Sequence, residues 1–97
     1  MSKVEWVRTA IAVEAAGSIT AGAADRGLSQ PAASQQLAQL ERALGFELFE
    51  RSRRGVAATD DGARFLREVA TPLEQIEWLL SGLERCLLYT SPSPRDS

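Results

Sequence analysis

Apolar residues recur at helical spacing along most of the chain, and one segment carries both a stripe to bury and a different outer face. Ala33, Leu37, Leu40 and Leu44 follow steps of four, three and four, which predicts one amphipathic helix over 29–45. Ser29 is a good N-cap, and Pro31 is tolerated in a first turn whose amides lack intrahelical partners. Gly45 supplies the stop. Opposite the stripe lie Ala32, Gln35, Gln36 and Gln39. Small uncharged hydrogen-bonding groups near a helix N-terminus suit the major groove, because Gln can pair bidentately with adenine while Ala or Pro touches a thymine methyl. A plain amphipathic surface helix with a soluble Gln face reads the same way.

The preceding segments are helical too. Val4, Val7, Ile11 and Ala15 predict a first helix over 4–16 that Gly17 ends. Ser18 and Thr20 open a short second helix over 21–26, rich in Ala and Gly, which lets another helix cross closely. Gly27 then makes the turn. A small-residue helix, a Gly turn and a capped helix with a polar outer face together indicate a helix-turn-helix over about residues 18–37.

After Gly45 the period changes. Phe46, Leu48 and Phe49 form an apolar cluster, Arg51, Ser52, Arg53, Arg54 and Gly55 concentrate charge, and Val56 to Ala58 return to apolar character. This predicts a β-hairpin wing with its tip at Arg53 to Gly55. Thr59 caps the next helix, with Asp60 and Asp61 where the helix dipole favours acids. That helix carries Phe65, Leu66, Val69, Leu73, Ile76, Leu80 and Leu83, a stripe longer than the small core before it can cover. From Thr59 to Gly82 it would extend about 36 Å, with a bend expected at Pro72. An exposed stripe of this kind pairs with its own copy, so these seven residues are the expected dimer interface; the alternative is a helix folded back on its own domain.

Composition narrows the function classes. Ninety-seven residues with 44% hydrophobic content suffice for one small core. A single Cys and no His leave no disulfide framework, and they exclude the usual zinc sites and His-based chemistry; no metal, cofactor or catalytic residue is expected. No apolar run reaches signal-peptide or membrane-span length, so a cytoplasmic protein without membrane association is expected. The net charge of −2 argues mildly against nonspecific polyanion binding. Charges balance over residues 1–64, and the acidic excess lies in the C-terminal third.

Several runs now line up in order: Ala16-Gly17-Ser18-Ile19-Thr20, Leu28-Ser29-Gln30-Pro31-Ala32, Ser34-Gln35-Gln36-Leu37, Leu40-Glu41, Leu44-Gly45 and Leu48-Phe49-Glu50-Arg51. Together they resemble the N-terminal domain of LysR-type transcriptional regulators. The resemblance spans roughly residues 3–64 and continues more loosely along the fourth helix, which is similar to the family's dimerising linker helix. It implies a mainly α winged helix-turn-helix with a small β-hairpin wing over residues 3–61 and a linker helix over 59–85. By position, Gln30, Pro31, Ala32 and Gln35 match groove-facing residues, Thr20, Ser34 and Arg51 match phosphate-side residues, and Arg53 and Arg54 match the wing. Ser29 joins the DNA-binding candidates. Thr20 and Ser29 can equally serve only as caps, Arg51 only as a partner of Glu47 or Glu50, and Arg53 and Arg54 only as solvated turn charges.

Three positions depart from the family pattern. Ala10 stands where a large aromatic is common, Arg26 where Leu is common, and Ala33 where a larger aliphatic is frequent. Each thins the core, and losing an aromatic costs roughly 3 to 5 kcal/mol when nothing refills the space. Trp6 or the Arg26 stem are the candidates to compensate.

The resemblance implies a sequence-specific regulator that binds double-stranded DNA as a homodimer, weakly associated in this chain, and that ends before the effector-binding domain of its family. A small-molecule effector is expected only with that domain. The competing reading is a winged-helix module for protein contact, which the near-neutral charge permits and the basic wing disfavours. An enzyme has no supporting constellation of nucleophile, phosphate loop or paired acids. Residues 86–97 break the pattern, with Pro92 and Pro94 opposing helix, and they resemble a translated sequencing-library adaptor. A disordered, non-native tail is the expectation there, with an ordinary disordered C-terminus as the alternative.

Overall fold

The structure, a computed structural model, describes the backbone of residues 3–89 and the side chains of residues 3–82. Four helices and one hairpin follow in the order α1 (Lys3–Ala16), α2 (Ile19–Asp25), α3 (Gln30–Leu44), β1 (Phe49–Ser52), β2 (Gly55–Ala58) and α4 (Asp60–Tyr89). Three hydroxyls start the later helices. Ser18 Oγ accepts from the Ala21 N–H at 3.1 Å, Ser29 Oγ from Ala32 at 3.2 Å and Thr59 Oγ from Gly62 at 2.9 Å. Each satisfies an amide that lacks an intrahelical acceptor. Gly45, in the left-handed region, closes α3 with its N–H on the Glu41 carbonyl.

The core gathers Ala10 and Val13 of α1, Ile19 and Ala23 of α2, Ala33, Leu37 and Leu40 of α3, then Leu48, Phe49 and Leu66. The α3 stripe is as expected, with Leu44 at its half-buried edge. In α1 the rotation differs from expectation: Thr9, Ala10 and Val13 are buried, Val7 and Ile11 are half-buried, and Val4 and Ala15 are exposed. The reason is a polar pair. Thr9 Oγ1 donates to Gln36 Oε1 at 2.6 Å, so both groups enter the core with a partner, and Gln36 turns inward instead of joining the outer face of α3.

Small residues govern how α1, α2 and α3 approach. A Cβ on Gly22 would lie 2.6 Å from the Val13 Cα, so α2 crosses α1 at a distance only Gly permits. Ala10 and Ala33 are fully buried in the same core, and Trp6, partly buried, packs against it. Arg26 is half-buried and ion-pairs with Glu5.

The wing is an antiparallel pair with Phe49 opposite Ala58 and Ser52 opposite Gly55, leaving Arg53 and Arg54 as its two-residue tip. It is fastened to the start of α2. The Val56 N–H donates to the Gly17 carbonyl at 3.1 Å, and a Cβ on Gly55 would come within 2.4 Å of that same oxygen. Gly55 also adopts φ +121, so two constraints fix its identity.

Helix α4 runs through Pro72 without a break and continues to Tyr89, past the boundary expected at 85. Its first turns belong to the domain core. Leu66 is 2% exposed, and Phe65 is half-buried with its ring edge-on to Phe46 at a centroid separation of 6.3 Å. Leu66 is therefore removed from the expected dimer interface, because its own core has already covered it. Phe65 has given part of its surface to Phe46. Val69 and Leu73 are half-buried, and Ile76 and Leu80 remain 52% and 55% exposed. Leu83 lies outside the described side chains. Of the tail, residues 86–89 continue the α4 backbone and residues 90–97 lie outside the described residues. Among the described residues no helix is long and apolar enough to cross a membrane.

Candidate nucleic-acid interface

One turn of helix places residues three and four apart on a common line. Pro31, Gln35, Ala38 and Arg42 form such a line on α3, and all four are exposed. Gln39 and Ala32 flank it and are half-buried, as is Ser34, while Gln30 is exposed at the N-terminal end. The helix thus presents amide side chains and small apolar groups outward, with Ser29 spent on capping. Arg42 and Ala38 were not anticipated from the sequence. Their signal is the continuation of the Pro31–Gln35 step by three and then four residues along one line of the helix.

The wing stands beside this face. A cleft of about 460 Å³ separates α3 from β1, lined by Ile19, Leu37, Glu41, Glu47, Phe49, Glu50 and Arg51. Glu41 is engaged there, its carboxylate accepting the Leu48 N–H at 2.7 Å, which holds the connection from α3 to the wing. Arg51, Arg53 and Arg54 are exposed, and none forms an ion pair among the described residues. The pairing of Arg51 with Glu47 or Glu50 is therefore absent. At the wing tip the Arg54 N–H donates to Ser52 Oγ at 3.3 Å. Thr20 is exposed in the first turn of α2, which the Val56–Gly17 bond ties to the wing. The fold therefore places the wing, with three unpaired guanidinium groups, across a cleft from α3, whose outer line carries Gln35 and the cation Arg42, while Glu41, Glu47 and Glu50 line the cleft itself.

A second surface lies along α1 and α4. Val4, Val7, Val69, Pro72, Leu73 and Ile76 line a shallow apolar groove of about 270 Å³, with Lys3 and Glu68 at its rim. Leu79 and Leu80 extend it at 58% and 55% exposure. The sequence pattern missed Val4, Pro72 and Leu79, since a stripe counted on one helix does not reveal a groove shared between two.

Three helices, a tight turn between the second and third, and a basic hairpin beside the third define a winged helix-turn-helix module. The profile of bacterial regulatory helix-turn-helix proteins of the lysR family matches residues 4–63, and the chain belongs to that family. The HTH-type transcriptional regulator AbaB of Streptomyces antibioticus is 44% identical over 79 residues, which is 80% of this chain and 26% of that protein. The HTH-type transcriptional activator AmpR of Providencia stuartii is 42% identical over 67 residues, 69% of this chain and 23% of that protein. The chain thus spans about a quarter of the length of these relatives. Among solved structures, the CbnR DBD–DNA complex superposes with a TM-score of 0.78 at 32% identity, covering 90% of this chain and 99% of that one. The BenM DBD complex with benA site 1 DNA gives 0.79 at 30% identity, covering 90% and 97%.

Proposed function

We propose that this chain binds double-stranded DNA in a sequence-specific manner as a homodimer, as the reading part of a cytoplasmic transcription regulator without catalytic activity. The observation that carries this reading is the outer line of α3, Pro31, Gln35, Ala38 and Arg42, exposed beside the unpaired Arg51, Arg53 and Arg54. In this reading α3 enters the major groove, where Gln35 and Gln30 contact base edges and Pro31 and Ala32 meet thymine methyls. The wing tip sits over the adjacent minor groove, whose narrow stretches attract Arg. Thr20, Ser34, Arg42 and Arg51 fix register on phosphates, a role that carries no sequence information by itself. The relatives solved in DNA complexes support the assignment. A small-molecule effector would act on a longer chain, of the length its relatives have.

Dimerisation uses the apolar groove of α1 and α4 with Val69, Leu73, Ile76 and Leu80. Such a surface, left open along a protruding helix, is best covered by its own copy around a two-fold axis.

Titration of labelled duplex with the chain at several salt concentrations tests the DNA reading. Binding should weaken steeply with salt. Arg53→Ala should weaken preferred and random duplexes alike and reduce the slope of log K against log salt by about one, as loss of one cation at the backbone requires. Salt-independent binding, or none to a random duplex pool, would favour a protein-contact module instead.

A further inference from the structure

Four charged side chains join three helices in one alternating line. Arg26, capping α2, ion-pairs through Nη2 with Glu5 Oε1 of α1. The other oxygen of that carboxylate accepts from Arg8 Nη1 at 2.8 Å. Arg8 Nε in turn lies 2.8 Å from Glu77 Oε2 of α4, an ion-pair contact without an aligned hydrogen bond. Arg26 and Arg8 are 25% and 29% exposed along their side chains and Glu5 and Glu77 40% and 45%, so the line is partly open to water and sensitive to salt.

On this side of the joint the apolar side chains of α1 and α4 do not close fully on one another. Under the charges lies an open cleft of about 270 Å³ floored by Ile11, Ala12, Ala70 and Leu73, where a close-packed joint would have none. Glu74 lies beside Glu77 at its edge but in no ion pair among the described residues. From Trp78 to Gly82, Trp78, Leu79 and Leu80 are exposed, and these residues make no side-chain hydrogen bond or ion pair to another element among the described residues. The Arg8–Glu77 contact is thus the outermost tie among the described residues, placed where a small rotation is amplified along α4. It also gives Arg26 a role, although the family pattern commonly has Leu at that position: it holds Glu5, which holds Arg8.

We propose that the line Arg26–Glu5–Arg8–Glu77 is a positioning element that sets the angle of α4 to the reading head. In the dimer proposed above, on which this consequence rests, that angle fixes the separation of the two α3 helices and hence the half-site spacing accepted on DNA. In this proposal none of the four residues is assigned a DNA contact. They act through the geometry they impose.

The test uses the full chain in a Cys86→Ser background with nitroxides on cysteines introduced at the exposed positions Glu14 and Ser81, diluted with unlabelled chain so that only distances within a protomer register. The wild-type charges should give one narrow distance distribution. Glu77→Gln and Arg8→Gln should broaden it, and about 1 M salt, where the Debye length falls to about 3 Å, should broaden the wild type but leave Glu77→Gln unchanged. Arg67→Gln, at an exposed position of α4 that lines neither groove and forms no ion pair among the described residues, should have no effect. An unchanged narrow distribution in Glu77→Gln overturns the proposal. Selection from a random duplex pool reads the consequence: the wild type should enrich paired half-sites at one separation and Glu77→Gln at several. A single separation for both would overturn the link to spacing. Enrichment of unpaired half-sites by the wild type would instead overturn the dimer reading, leaving the distance result to decide the positioning element.

Discussion

Leu73→Asp combined with Ile76→Asp is expected to turn a concentration-dependent dimer into a monomer and to reduce duplex affinity by about 100-fold or more, the order of gain that two linked binding events supply. Ile76 is 52% exposed and Leu73 half-buried at the floor of the α1–α4 groove, so both retain apolar surface for a partner. Burying such side chains fully is worth about 1.5 to 3 kcal/mol each, and a two-fold interface counts each of them twice. The substitutions also place carboxylates of the two copies against one another in an apolar seam, where unpaired charge is costly. Both positions lie outside the buried core, so the monomer should keep its fold by circular dichroism. Sedimentation velocity over a concentration series reads the outcome. An unchanged dimer would mean that the groove is not the interface.

Leu48→Ala should cost about 2 to 5 kcal/mol, a large share of the 5 to 15 kcal/mol that holds small domains together. Leu48 is wholly buried, and its backbone is a junction. Its N–H donates to the Glu41 carboxylate of α3 at 2.7 Å, and its carbonyl accepts from the Thr59 N–H at 2.9 Å. A Cβ on Gly62 would come within 2.1 Å of the same oxygen, so α4 starts directly against this residue and the site cannot collapse easily around a cavity. Urea denaturation measures the loss; a change below about 1 kcal/mol would show that the joint between α3, wing and α4 does not depend on Leu48 packing.

The legible parts of the chain are those governed by local rules. Ser18, Ser29, Thr59 and Gly45 mark helix ends because capping chemistry involves only neighbours, and each is where the helices begin or stop. The α3 stripe reads correctly because it meets one core from one side. The rotation of α1 does not, because α1 packs against α2, α3 and α4 and its buried line includes Thr9, whose entry depends on Gln36, 27 residues later in the chain. The inward turn of Gln36 is invisible for the same reason: two polar residues become core residues only together. Leu66 looks like part of the long α4 stripe, yet its coverage is decided by the domain packed against the first turns of that helix. Among the candidate site residues, Gln35 and the wing cations are exposed as the pattern predicts and Arg42 continues the same helical step, whereas the burial of Gln36 and the line from Arg26 to Glu77 needed the three-dimensional placement of side chains far apart in sequence.

In the proposed complex α3 reads base edges through Gln35. Competitive titration of Gln35→Ala against the wild type, on a duplex selected from a random pool and on a scrambled duplex of equal length, tests it most directly. Gln35 is uncharged and exposed on the outer line of α3. Its loss should weaken binding to the selected duplex by roughly 1 to 3 kcal/mol and leave the scrambled duplex and the salt slope nearly unchanged. Equal losses on both duplexes would contradict the assignment of α3 to the major groove.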